Sequence, residues 1–75
     1  MHLYLQHPVD GSGAPRFVRL TLQPDLLGGW TLLRESGQVG ERSTLRRQQF
    51  PDGASAHAAL DAARQAQVKR GFRPG

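Results

Sequence analysis

Cysteine is absent from the chain. No disulfide framework can be built, nor any zinc or iron–sulfur site with thiolate ligands. Long apolar runs are absent as well. No stretch approaches the roughly 20 residues of a membrane span. No basic segment leads into an apolar one, as a secretory signal would require. The expectation is a soluble, cytoplasmic protein with no membrane partner. Lysine is nearly missing: Lys69 stands alone and every other basic residue is arginine. Carboxylates are scarce, with six Asp+Glu against ten Lys+Arg and a formal net charge of +4. The sequence pI is near 11.2, and a domain pI above about 9 is the electrostatic footprint of a nucleic-acid binder.

Enzyme signatures are missing too. There is no HExxH, no Walker loop and no GxSxG. Gly11-Ser12-Gly13 is rich in glycine but leads into no helix. It therefore lacks the helix N-terminus that cradles phosphate and reads as a flexible hairpin loop. Ser55 and His57 are two residues apart, about 200° around a helix, so no Ser-His-Asp triad forms there. His57 and Asp61 are four apart and are expected to pair on the helix surface. His2 and His7, five apart on a strand, fall on opposite faces and cannot chelate one metal. No catalytic residue, metal site or cofactor is expected, and the chain reads as non-enzymatic.

What remains is a small globular domain. The 75 residues form one domain spanning 1–75, which buries only about 60% of its unfolded surface. His2–His7 alternates apolar and polar residues, with Leu3 and Leu5 on one face. Pro8 to Pro15 reads as a loop. Arg16–Gln23 is the clearest strand: Val18, Leu20 and Leu22 point one way, Phe17, Arg19 and Thr21 the other. Pro24-Asp25 opens a turn that Gly28-Gly29 closes. Trp30–Glu35 carries apolar groups on both faces, as an inner strand does. Trp30 on such a strand is expected in the core rather than as a stacking platform. Gly37 and Gly40 bracket a tight reversal. Arg42–Phe50 is polar and extended, and Leu45 and Phe50 have opposite parity. Burying both would require a bulge or an early end to the strand.

The period then changes. Asp52 is a good N-cap. From Ala54 to Arg70, the residues Ala56, Ala59, Leu60 and Ala63 form one helical stripe, with Asp61, Gln65 and Lys69 opposite. Gly71 suits the C′ position. The fold class is α+β: an antiparallel sheet of about four strands with one C-terminal helix packed across it.

The arginines are the candidate binding residues. Arg34, Arg42, Arg46 and Arg47 flank the reversal at Gly37–Gly40, and Lys69 and Arg70 close the helix. A guanidinium fork matches phosphate bidentately. A solvated hairpin, partly offset by Glu35 and Glu41, is the alternative.

Ser36-Gly37-Gln38-Val39-Gly40 occupies the place of the Trp-Gly-Arg-hydrophobic-Gly signature of the WGR domain, and the chain resembles that family from about Leu3 to Phe72. Phe17-Val18-Arg19-Leu20-Thr21-Leu22 and Trp30-Thr31-Leu32 are similar to its preceding strands. Phe50, the Ala56/Leu60 stripe and Lys69-Arg70-Gly71-Phe72 are similar to its later elements. The family has an antiparallel sheet with one helix. It occurs as a DNA-contacting module in poly(ADP-ribose) polymerases and as short bacterial proteins. In the polymerases the signature Trp and Arg touch DNA near a break, and a basic residue on the following strand touches the backbone. Those positions are Ser36, Gln38 and Arg47 here. Gly37, Val39 and Gly40 match the signature turn. The resemblance implies weak, sequence-independent nucleic-acid binding through Arg34, Gln38, Arg42, Arg46, Arg47, Lys69 and Arg70. The alternative is a protein–protein interaction module on the same fold that no longer binds DNA. A monomer or a weak homodimer is expected, with His2–His7 as the free edge strand.

Overall fold

The computed structural model describes residues 1–7 and 13–74. The elements are β1 (His2–His7), β2 (Arg16–Pro24), β3 (Trp30–Gln38), β4 (Ser43–Phe50), α1 (Gly53–Lys69) and β5 (Arg73–Pro74). The sheet is antiparallel in the order β4-β3-β2-β1-β5, with α1 across one face: the α+β fold that the periodicity predicts, enlarged by the short β5. Residues 8–12 of the loop expected at Pro8–Pro15, including Gly11-Ser12, lie outside the described residues.

Alternation decides which side is buried. Val18, Leu20 and Leu22 of β2 turn toward the helix and pack with Leu5, Leu32, Ala56, Leu60, Ala63 and Phe72. Alanines at 56 and 63 let the helix approach the sheet closely. One helix cannot cover the whole sheet, and the molecule is a slab of 45 × 23 × 14 Å. The opposite face has no covering layer among the described elements. There Tyr4 stacks on Phe17 at 5.9 Å, and the Arg19 guanidinium lies over both rings.

Helix ends follow from capping chemistry. Asp52 Oδ1 accepts the Ser55 N–H at 2.7 Å. At the other end the Phe72 N–H donates to the Gln67 carbonyl and the Gly71 N–H to the Val68 carbonyl, a Schellman arrangement. It requires Gly71 at φ +101, where a side chain would be strained. Phe72 is thereby turned into the core.

The Ser55 backbone N–H, joined by the Ser55 hydroxyl and the Ala54 N–H, holds the Asp52 carboxyl below its ordinary value of 3.8. A lowered value means the contribution is present above the ordinary carboxylate range and fades as pH falls through the folded value. Asp52→Ala is therefore expected to melt at a lower temperature than the wild type near neutrality. The gap should close in thermal melts run from about pH 7 to about pH 2.

Several expectations are corrected. Strand β3 does not stop at Glu35. Ser36 and Gly37 continue it, pairing with Val18 and Phe17 on one side and Thr44 and Ser43 on the other. Of Ser36–Gly40, only Val39 and Gly40 lie in the reversal, which continues through Glu41 and Arg42 to β4, and Gly40 has φ +83. Gly37 is needed for a close approach rather than a turn: a Cβ there would come within 2.9 Å of the Arg42 carbonyl. Strand β4 resolves its parity conflict without a bulge. Its register with β3 is unbroken, Phe50 packs against the core, and Leu45 is left 61% exposed. His57 does not pair with Asp61. It packs edge-on against Trp30 at 5.4 Å, its Nδ1 lies 2.8 Å from the Gly53 carbonyl oxygen, and Asp61 pairs with Arg64 instead. Strand β1 is not the outermost strand: β5 pairs with it, but only at Leu5 and Gln6, so the expected edge is covered in part, and His2–Tyr4 have no strand partner on that side among the described residues. The outer strand on the other side is β4.

Candidate functional site

The helix crosses the sheet diagonally. Its start rests on Trp30, where a Cβ on Gly53 would lie 3.2 Å from the indole nitrogen. The chain just past its end passes β1, where a Cβ on Gly71 would lie 2.9 Å from His7 Nε2. Among the described residues, one corner of the helix-side face therefore has no element packed over it. It comprises the start of β2, the end of β3 and the start of β4.

This corner is an open basin of about 1080 Å³. Ser36, Gly37, Gln38 and Thr44 belong to its sheet side, Gln67 and Arg70 to its helix side. Arg16, Arg34, Arg42, Arg46 and Arg70 line it, and Glu41 is the one carboxylate among its lining residues. Five arginines against one glutamate account for the whole formal charge of +4, because the remaining five basic and five acidic residues cancel.

Register explains the convergence. Arg34 and Arg46 are direct cross-strand partners on β3 and β4. Arg16 pairs with Gln38 on β2 and β3. Residues that pair directly point to the same face, and these share the face of Val18, Leu20 and Leu22. Like charges directly opposite one another destabilise a sheet. Nothing in the described structure relieves the Arg34–Arg46 pair. Among the described residues the ion pairs are Arg19–Glu35 and Arg64–Asp61, and neither reaches the basin. The contrast with the open face is direct. There Arg19 is held by Glu35 at 2.8 Å and by two aromatic rings, and Ser43 Oγ donates to the same carboxylate at 2.7 Å. Among the described residues, the cations of the basin have no ion-pair partner.

The helix C-terminus does not oppose an anion strongly. The Gln67 and Val68 carbonyls of its last turn already accept backbone N–H groups. The aromatic side chains nearby are poor stacking surfaces. Phe17 and Phe72 are buried, and Trp30 packs under the helix start as the sequence suggests.

The structure gathers Arg34, Gln38, Arg42, Arg46 and Arg70 of the expected binding set into the basin. It places two others elsewhere. Arg47 pairs with Leu33 and projects from the opposite face of the sheet, since it is adjacent to Arg46 in β4. Lys69 closes the helix outside the basin lining. Arg16 joins the set although sequence reasoning did not select it. Its parity with Val18, Leu20 and Leu22 was the available signal.

Among the described residues no group of three or more His, Asp or Glu is placed to hold a metal ion. No helix of the described residues is long and apolar enough to cross a membrane. No protein-family model, curated protein or solved structure matches the chain.

Proposed function

We propose that this chain is a non-enzymatic, cytoplasmic module, WGR-like in design, that binds nucleic acid through its phosphate backbone without sequence choice. The observation that carries the reading is the basin: five arginines line it, including a cross-strand arginine pair, with Glu41 as the one lining carboxylate and no ion pair to any of the five among the described residues. A polyanion supplies the missing counter-charges. Ser36 and Gln38, which stand at the signature Trp and Arg positions of the WGR family, both line the basin. Neither adds charge, and a serine cannot stack on a base. Recognition therefore rests on guanidinium–phosphate contacts, which position a backbone but read no sequence.

Such binding is salt-dependent because each neutralised phosphate releases condensed counterions. Fluorescence anisotropy of a labelled duplex across a salt series tests this. The expected slope of log K against log[salt] is about −0.9 for each phosphate engaged. Five basin arginines place its upper limit near −4.5. Duplexes of unrelated sequence are expected to bind alike. Absence of binding at low salt and tens of micromolar protein overturns the proposal.

A further inference from the structure

The outer strand β4 lends Thr44 and Arg46 to the basin, and its backbone edge, Leu45 and Arg47 lie outside it. It runs for eight residues, Ser43–Phe50, without a proline or a bulge, and its residues 43–49 are all exposed. Exposed edges of this kind are usually blunted by proline, bulges, shortness or a covering element. Here the charges of Arg46 and Arg47 are the only such device. They project from opposite faces of the sheet, and the strand contains no acidic residue.

A second copy of the chain is a poor occupant. A two-fold axis perpendicular to the sheet preserves its faces, so an antiparallel β4–β4 pair must match residues of equal parity. The two registers with the greatest overlap set Arg46 against its own mate or Arg47 against its own mate. Each puts like charges directly opposite one another.

The geometry points to β4 as a docking edge for an extended acidic segment of another protein, added antiparallel as a sixth strand. Backbone hydrogen bonds along the open edge supply register. Charge complementarity supplies selection. Consecutive partner residues face opposite sides of the sheet, so two adjacent carboxylates meet Arg47 and then Arg46. The next residue lies opposite Leu45, which is exposed on the same face as Arg47 and calls for an apolar neighbour. The recognised pattern is acid-acid-apolar in the N-to-C direction within a β-prone stretch. This inference stands whether or not the basin binds nucleic acid.

The probe is a capped heptapeptide, Thr-Val-Glu-Glu-Val-Thr-Val, titrated into the intact protein and followed by backbone amide resonances and hydrogen exchange. Two control peptides are used. One carries Lys-Lys in place of Glu-Glu. The other keeps Glu-Glu but is N-methylated at the alternate amides that would face β4. The Glu-Glu peptide is expected to shift the Ser43–Phe50 amides and slow their exchange, and both controls are expected to lose this effect. The double variant Arg46→Glu/Arg47→Glu is expected to reverse the preference, favouring the Lys-Lys peptide by roughly tenfold. Equal binding of the N-methylated peptide would reduce the interaction to bare charge attraction and overturn the proposal. Equal binding of the Glu-Glu and Lys-Lys peptides, or perturbation centred outside β4, overturns it as well.

Discussion

Leu20→Ala is expected to remove about 2–5 kcal/mol of stability. Leu20 is 0% exposed and Leu22 is 1% exposed. Both project from β2, between β1 and β3 and beneath α1. Truncation of either deletes buried methyl groups and leaves a cavity that the surrounding strands cannot fill by relaxing. A chain of 75 residues has a total stability of only about 4–11 kcal/mol at typical values per residue. The loss thus ranges from about a fifth of the whole to all of it, and the melting temperature should fall by roughly 8–40 °C. Leu45→Ala is the control. Leu45 is 61% exposed on the edge strand, and its truncation should stay within about 0.5 kcal/mol of the wild type. Urea titrations monitored by circular dichroism check both. An effect of Leu45→Ala as large as that of Leu20→Ala would place the core on the wrong face of the sheet.

The double variant Arg34→Ala/Arg46→Ala is expected to weaken duplex binding about thirtyfold at low salt, at about 1 kcal/mol for each lost contact. Its salt slope should become shallower by about 1.8. All sequences should be affected alike, because phosphate contacts carry no base information. The same variant is expected to be no less stable than the wild type. Arg34 and Arg46 are direct cross-strand partners, and removing them relieves a like-charge pair. Lost binding with retained or raised stability is the signature of a site kept for function. Arg47→Ala is the matched control. It deletes one charge, beside Arg46 but on the other face, so the salt slope should change little, against about 0.9 for each basin arginine removed. Anisotropy measurements on the three proteins separate the basin from a general effect of net charge.

The control bears on what the sequence made visible. The strands β1 and β2, the helix and both of its caps were legible. Leu3 and Leu5, then Val18, Leu20 and Leu22, alternate cleanly, and Asp52 and Gly71 bracket an uninterrupted helical stripe. The fold class followed from these periods. The end of β3 was not legible, because Ser36-Gly37-Gln38 is polar and glycine-containing and reads locally as a turn. Pairing of Gly37 with both Phe17 and Ser43 holds it in the sheet, and such pairing is a tertiary fact. The short β5 was equally hidden, since a two-residue strand has no period. That omission made β1 the outermost strand, where β5 in fact covers its Leu5 and Gln6.

The candidate site was legible as a cluster of charge but not as a surface. Arg46 and Arg47 are neighbours in sequence and lie on opposite faces in the sheet. Arg16 and Arg34 are far apart in sequence and line one basin. Parity alone could have made the first distinction. The second required the β2–β3 register and the diagonal path of α1, which together decide which part of the face stays uncovered.

The central claim is that the uncovered corner of the helix-side face is the nucleic-acid surface. Titration of isotope-labelled protein with an unlabelled duplex at low salt, followed by amide and arginine side-chain resonances, tests it most directly. The account predicts the largest shifts at Ser36, Gly37, Gln38 and Thr44 and at the guanidinium groups of Arg16, Arg34, Arg42, Arg46 and Arg70. Tyr4, Arg19 and Arg47 on the opposite face should remain nearly unmoved. Shifts centred on that opposite face, or none at all, would contradict it.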